Sequence, residues 1–99
     1  MSYSLIIKPP AQEDIEESAV WYEQESTGLG HEFIQAVEEK LEVIEKNPNL
    51  FEVKYKQVHQ AFLYRFPFSI HYIVEAENIF VVAVLHTNSD PKTALKRSK

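Results

Sequence analysis

Phe68 to His86 read FSIHYIVEAENIFVVAVLH, two apolar runs divided by Glu75-Ala76-Glu77-Asn78. β-Branched and aromatic residues dominate both runs and the polar tetrad between them suits a tight turn, so the stretch predicts an antiparallel hairpin. With Ala76-Glu77 as the two-residue loop, Glu75 faces Asn78, Val74 faces Ile79, Tyr72 faces Val81 and His71 faces Val82. Period-two alternation then assigns Phe68, Ile70, Tyr72, Val74, Ile79, Val81, Ala83 and Leu85 to one face, an apolar bed for helices. The other face carries Ser69, His71, Ile73, Phe80, Val82, Val84 and His86. It is apolar enough to need cover and also holds the polar groups.

The helices lie upstream. Tyr3 to Lys8, SLII between polar ends, read as a short strand stopped by Pro9-Pro10. From Gln12 to about Ser26, Ile15, Ala19 and Tyr22 recur on one helical stripe. A second helix follows from about His31 to Lys46, with Phe33, Ile34, Val37, Leu41 and Ile44 on one face and Asn47-Pro48-Asn49 as its stop. The chain's two glycines, Gly28 and Gly30, both fall in the connection between these helices. So short a link predicts an antiparallel helical hairpin. Lys54 to Val58 and Ala61 to Phe66 are read as further strands. The predicted fold is α+β: an N-terminal strand, then a helical hairpin packed on one face of a small, mainly antiparallel sheet. In 99 residues this makes one domain over residues 1–91, and residues 92–99 are read as a basic tail, either flexible or a single helical turn.

Two helices cover one side of such a sheet. The other side is therefore expected to be an exposed apolar strip, the mark of a binding surface. Ser69, His71, Phe80, Val82, Val84 and His86 form this candidate partner-binding face. The opposite expectation, that the tail folds back over the strip, stands beside it.

Charge is polarised. Between Gln12 and Lys46 eleven acids stand against two bases, Lys40 and Lys46, leaving four acids and eight bases for the rest of the chain. The net charge of -5 argues against a strong electrostatic hold on nucleic acid. No stretch reaches the ~20 apolar residues of a membrane span, and MSYSLIIKPP lacks a signal-peptide pattern. A cytoplasmic protein without membrane contact is expected. The absence of cysteine removes disulfides and thiolate metal sites. His71 and His86 stand four residues apart along the strand, roughly 13 Å at ~3.3 Å per residue, too far to share a metal. No metal and no cofactor is expected, and no serine has an evident His and Asp arranged around it.

Four words, AQEDIEESAVWYEQESTGLGHEF (11–33), NPNLF (47–51), LYRFPFSIHYIV (63–74) and VVAVLHTNSDP (81–91), resemble in order and spacing the ParE/RelE superfamily of bacterial toxin-antitoxin modules. The resemblance runs from about Ser4 to Pro91 and is nearest to the ParE-like, plasmid-stabilisation branch. It implies the toxin of a type II pair, acting by protein binding on DNA gyrase and neutralised by a cognate antitoxin laid across the open sheet face. The alternative within the superfamily is a RelE-like, metal-independent endoribonuclease acting on messenger RNA at the ribosome. Its candidate catalytic residues here are His86, Arg65 and Tyr72. The resemblance puts Ser69 where such nucleases carry arginine and Thr87 after His86, so the cation that a pentacoordinate phosphate requires is missing. The ParE-like words also depart from pattern, with His59 and Asn88-Ser89 where arginines are common. That opens a third reading, an attenuated, non-toxic member. Arg65 matches the arginine of the RFP word. It is expected at a strand end, stem among Phe62, Tyr64 and Phe66, with its guanidinium on an acid such as Asp90 or on a partner. His59, Arg65 and Asp90 are thus structural or partner-contacting candidates.

Overall fold

The computed structural model describes residues 2–90 and 92–97. Strand β1 (Ser4–Ile7) leads into helices α1 (Pro9–Glu25) and α2 (Leu29–Lys46). Strands β2 (Val53–Tyr55), β3 (Val58–Phe62), β4 (Phe68–Glu75) and β5 (Asn78–His86) follow, and helix α3 (Lys92–Arg97) closes the described chain. The sheet has the order β1-β5-β4-β3-β2. Only the β1–β5 pair is parallel; the others are antiparallel.

Helix α1 starts on Pro9 itself, three residues before the expected Gln12. Proline at the first helical position lacks only an N–H that no intrahelical carbonyl would have accepted, and Lys8 before it is extended, as a residue preceding proline prefers. The α1–α2 turn is fastened by Glu23, whose carboxylate accepts the Gly28 and Gly30 N–H groups at 2.9 and 3.0 Å. Gly28 holds φ +89°, a left-handed conformation that favours glycine. Gly30 serves another purpose. A Cβ there would collide with the Ala19 backbone oxygen, so glycine is what lets the two helices close on each other.

The helical hairpin lies on the predicted apolar face. Ala11, Ile15, Ala19, Phe33, Val37 and Ile44 pack against Ile70, Tyr72, Ile79 and Val81. At one end, Tyr22 and Phe33 meet Phe66 and Phe68 with ring centroids 5.0 to 6.0 Å apart. Such edge-on and offset contacts add stabilisation beyond area burial.

The hairpin register holds from Glu75–Asn78 to Tyr72–Val81 and then slips by one residue: His71 pairs with Ala83 and Phe68 with His86. Val82 is the extra residue of a β-bulge, and every side chain beyond it changes face. Ala83 and Leu85, expected toward the helices, turn away from them with Val82; Val84 joins the helix-side core, and His86 lies against Phe68. Two strand boundaries also move. A turn with φ +46° at Lys56 splits the expected Lys54–Val58 strand into β2 and the start of β3, and β3 ends at Phe62 instead of Phe66.

The second face is covered. Residues 92–97, read from sequence as a flexible tail or a single helical turn, form α3, whose Ala94 is buried against Val58, Ile73, Val82 and Ala83. Asp90 starts this helix: its carboxylate accepts the Lys92 N–H at 2.9 Å. A second cause lies at the edge of β5. Strand β1 pairs only with Asn78 to Val81, so the β5 groups beyond are open to the edge. Asp14 of α1 accepts the Val84 N–H at 3.0 Å, and Arg97 of α3 donates to the Val82 carbonyl at 3.2 Å and to Asp14 at 2.6 Å. One ion pair thereby closes an unpaired sheet edge and ties α3 to α1.

Candidate functional site

Of the residues expected on a bare face, Ser69, His71, Val82 and Val84 are all buried. The exposed strip is therefore not present at these positions. Val84 lies on the helix side, beyond the bulge, and Val82 lies beneath α3. Phe80 is half-buried, its ring 4.9 Å beneath the Lys8 ammonium. His86 stands on the helix side, 5.3 Å from Phe68, and its Nδ1 accepts the Asn88 N–H at 3.0 Å.

Between β3 and β4 the second face carries a short polar chain. Gln60 Nε2 donates to Ser69 Oγ at 3.2 Å, and Ser69 Oγ lies 2.9 Å from His71 Nε2. A cavity of about 230 Å³ opens over it, rimmed by Lys54, Tyr55, Thr87 and Ser89. His71 is 3% exposed, and its Nδ1 is buried without a hydrogen-bond partner among the described residues. Burial pushes its pKa down to about 4, against the opposing pull of the nearby Asp14 carboxylate. A serine beside a neutral imidazole resembles a nucleophile and its base. The third member, an acid on Nδ1 that would stabilise imidazolium, is missing, since Asp14 is committed to Val84 and Arg97. The serine is also buried, at 1% exposure, so the pair reads as a buried hydrogen-bonded network with one idle nitrogen.

The three residues of the nuclease alternative have separate surroundings. Tyr72 is fully buried; its hydroxyl donates to the Pro48 carbonyl at 2.6 Å, and burial pushes its pKa up to about 12. Arg65 sits in the β3–β4 connection at φ +80° and pairs with Glu32 of α2 at 2.8 Å, not with Asp90. Its guanidinium lies 5.4 Å from the Phe66 ring centre. His59 stacks on Tyr72 at 4.9 Å and donates from Nδ1 to the Phe51 carbonyl at 2.9 Å. This arrangement offers no convergent cation, base and acid to a phosphate. Among the described residues no group of His, Asp and Glu is placed to hold a metal ion, and no helix is long and apolar enough to cross a membrane.

Sequence reasoning passed over three residues that organise the surface. Asp14 and Arg97 meet 83 positions apart, which no local pattern signals. Trp21 is 57% exposed beside a groove of about 470 Å³ formed by Tyr22, Pro67, Phe68 and His86. It is the only tryptophan in the chain, the one signal that could have singled it out.

The model for the ParE toxin of the type II toxin-antitoxin system parDE matches residues 5–91. Among solved structures, a chain of the chromosomal ParDE TA system from P. aeruginosa superposes with a TM-score of 0.72 at 18% identity, covering 86% of this chain and 96% of that one. The likeness establishes a shared fold. Comparison with curated proteins returned no significant match.

Proposed function

Because the chain belongs to the ParE toxin family of type II toxin-antitoxin systems, we propose that it works in the cytoplasm as a binding toxin. Its target is DNA gyrase, and a cognate antitoxin neutralises it. The carrying observation is the dispersal of the groups that phosphate chemistry would need. Arg65 is spent on Glu32, Tyr72 on the Pro48 carbonyl, and a buried Ser69 stands where a nuclease would present a cation. Cleavage of RNA by in-line attack requires positioned charge at the developing pentacoordinate phosphate. Holding a protein target requires only a surface.

On this reading the antitoxin docks away from the sheet face that the sequence pointed to, where α3 packs. Docking uses surface that the fold leaves uncovered, and the helical hairpin supplies part of it. Val20 and Trp21 on α1, and Ile34 and Val43 on α2, remain exposed there.

Induced expression is expected to halt DNA replication, with purified protein trapping gyrase on cleaved DNA and leaving messages intact. Co-expression of the antitoxin is expected to restore growth. Rapid cutting of messages in the ribosomal A site would overturn the proposal in favour of the nuclease, and unimpaired growth with full-length protein present would favour the non-toxic reading.

A further inference from the structure

We infer that the groove beside Trp21 is the seat of a basic peptide segment of the antitoxin, with one large apolar side chain as its anchor. This rests on the reading of the chain as a toxin with a protein neutraliser. The groove runs between α1 and the Pro67–Phe68 corner of the sheet, with His86 at its wall and Glu17 and Ser18 at its rim. Its volume of about 470 Å³ accommodates a large side chain and the backbone that carries it. The walls are mainly apolar and firmly set. Trp21 meets Tyr22 edge-on at 5.0 Å, and Tyr22 is itself packed against Phe33, Phe66 and Phe68. A preorganised aromatic slot of this kind loses little entropy on binding, and such slots are where interface energy concentrates. With Nδ1 occupied by the Asn88 N–H, the neutral His86 ring carries its proton on Nε2, a donor at the groove wall.

Charge selects the occupant. Helix α1 carries six carboxylates and no base. Among the described residues Asp14 is paired with Arg97, and Glu23 is held by the Gly28 and Gly30 N–H groups. Glu13, Glu17 and Glu25 are exposed and have no cationic partner there. An apolar slot set in uncompensated negative charge is complementary to Arg or Lys flanking an apolar anchor, and it disfavours an acidic segment. The groove at Phe80 lacks this match, since its two cations already face Phe80 and Asp14.

The test uses the sole tryptophan as a reporter. With 5-fluorotryptophan built into this chain, position 21 gives one fluorine resonance. The probe is the purified cognate antitoxin, sought as the product of a small open reading frame overlapping or just upstream of the gene. Titration is expected to shift the resonance and saturate with the complex seen by calorimetry. Trp21→Ala is expected to weaken binding by about thirtyfold, the scale of an interface hot spot. Glu17→Lys is expected to weaken it by about tenfold and flatten its salt dependence. Leu50→Ala, at an exposed residue outside the groove, is expected to bind as the parent does. Equal thermal unfolding of the variants and the parent shows that folding is not the cause. A tight complex with an unmoved resonance and undiminished affinity in Trp21→Ala overturns the groove alone. No complex at all overturns the groove and the antitoxin reading together.

Discussion

His71 and Tyr72 are neighbours on β4, face opposite sides of the sheet, and are both buried polar groups. They differ in what satisfies them. Tyr72 has the Pro48 carbonyl at 2.6 Å, which pins the turn after α2 to the sheet. Tyr72→Phe deletes the donor and strands a carbonyl of the fully buried Pro48. A loss of about 1–3 kcal/mol in urea unfolding is expected, the usual cost of an orphaned buried acceptor. His71 keeps one nitrogen idle and its pKa is pushed down from 6.5 to about 4 by burial. The unfolded chain therefore takes up this proton first. The neutral ring's contribution is complete above pH 6.5 and drains away as pH falls toward 4. His71→Leu removes that titration. Between pH 7 and pH 4 the parent is expected to lose roughly 2–3 kcal/mol more stability than the variant, read from urea midpoints at a series of pH values. Parallel acid limbs in parent and variant would show that burial does not perturb this ring.

Legibility from sequence divides sharply at the scale of elements. The hairpin turn and the β4 faces were readable because Ser69 and His71 alternate with Phe68, Ile70 and Tyr72. Beyond Val81 the run VVAVL offers no polar residue to mark a face, so a bulge at Val82 leaves no local trace. It reversed four face assignments and placed His86 at the groove beside Trp21 instead of on the opposite side. Helix α3 was legible only as one of two readings of the tail, flexible or a single helical turn, for a different reason. Six residues with Ala94 and Leu95 as their only apolar members fall below any helical period, and isolated helices so short are unstable. Tertiary partners make this one. The Arg97–Asp14 pair is partly shielded, and Asp14 also holds the Val84 N–H. Asp14→Ala is thus expected to cost about 2–3 kcal/mol, because it leaves a backbone donor unpaired and takes the counterion from a partly buried guanidinium, and Arg97→Ala is expected to cost less. A double-mutant cycle should give a coupling of about 1 kcal/mol; additive losses would mean that the two groups act independently.

Across the whole molecule the sheet separates two cores of unequal size. The helical hairpin builds the larger, with Phe33, Ile44, Ile70, Tyr72 and Val81 among its members. The smaller holds Val58, Ile73, Val82, Ala83 and Ala94, and α3 is its lid. The family match ends at residue 91, just before that lid, so the matched part of the chain leaves this face without its cover. Removing everything after Asp90 tests the division. The larger core contains none of the deleted side chains, so the shortened chain should still unfold cooperatively. It should lose roughly 2–3 kcal/mol through re-exposure of Ile73, Val82 and their neighbours, and through loss of the Arg97 contact with Asp14. The newly bared strip should make the shortened chain bind more of a hydrophobic dye than the full chain does, since contiguous exposed apolar surface is what such dyes report. The Trp21 groove lies on the hairpin side, away from this lid, and antitoxin affinity should therefore survive the truncation. Loss of that affinity, with the larger core still cooperative, would move the docking surface to the α3 face.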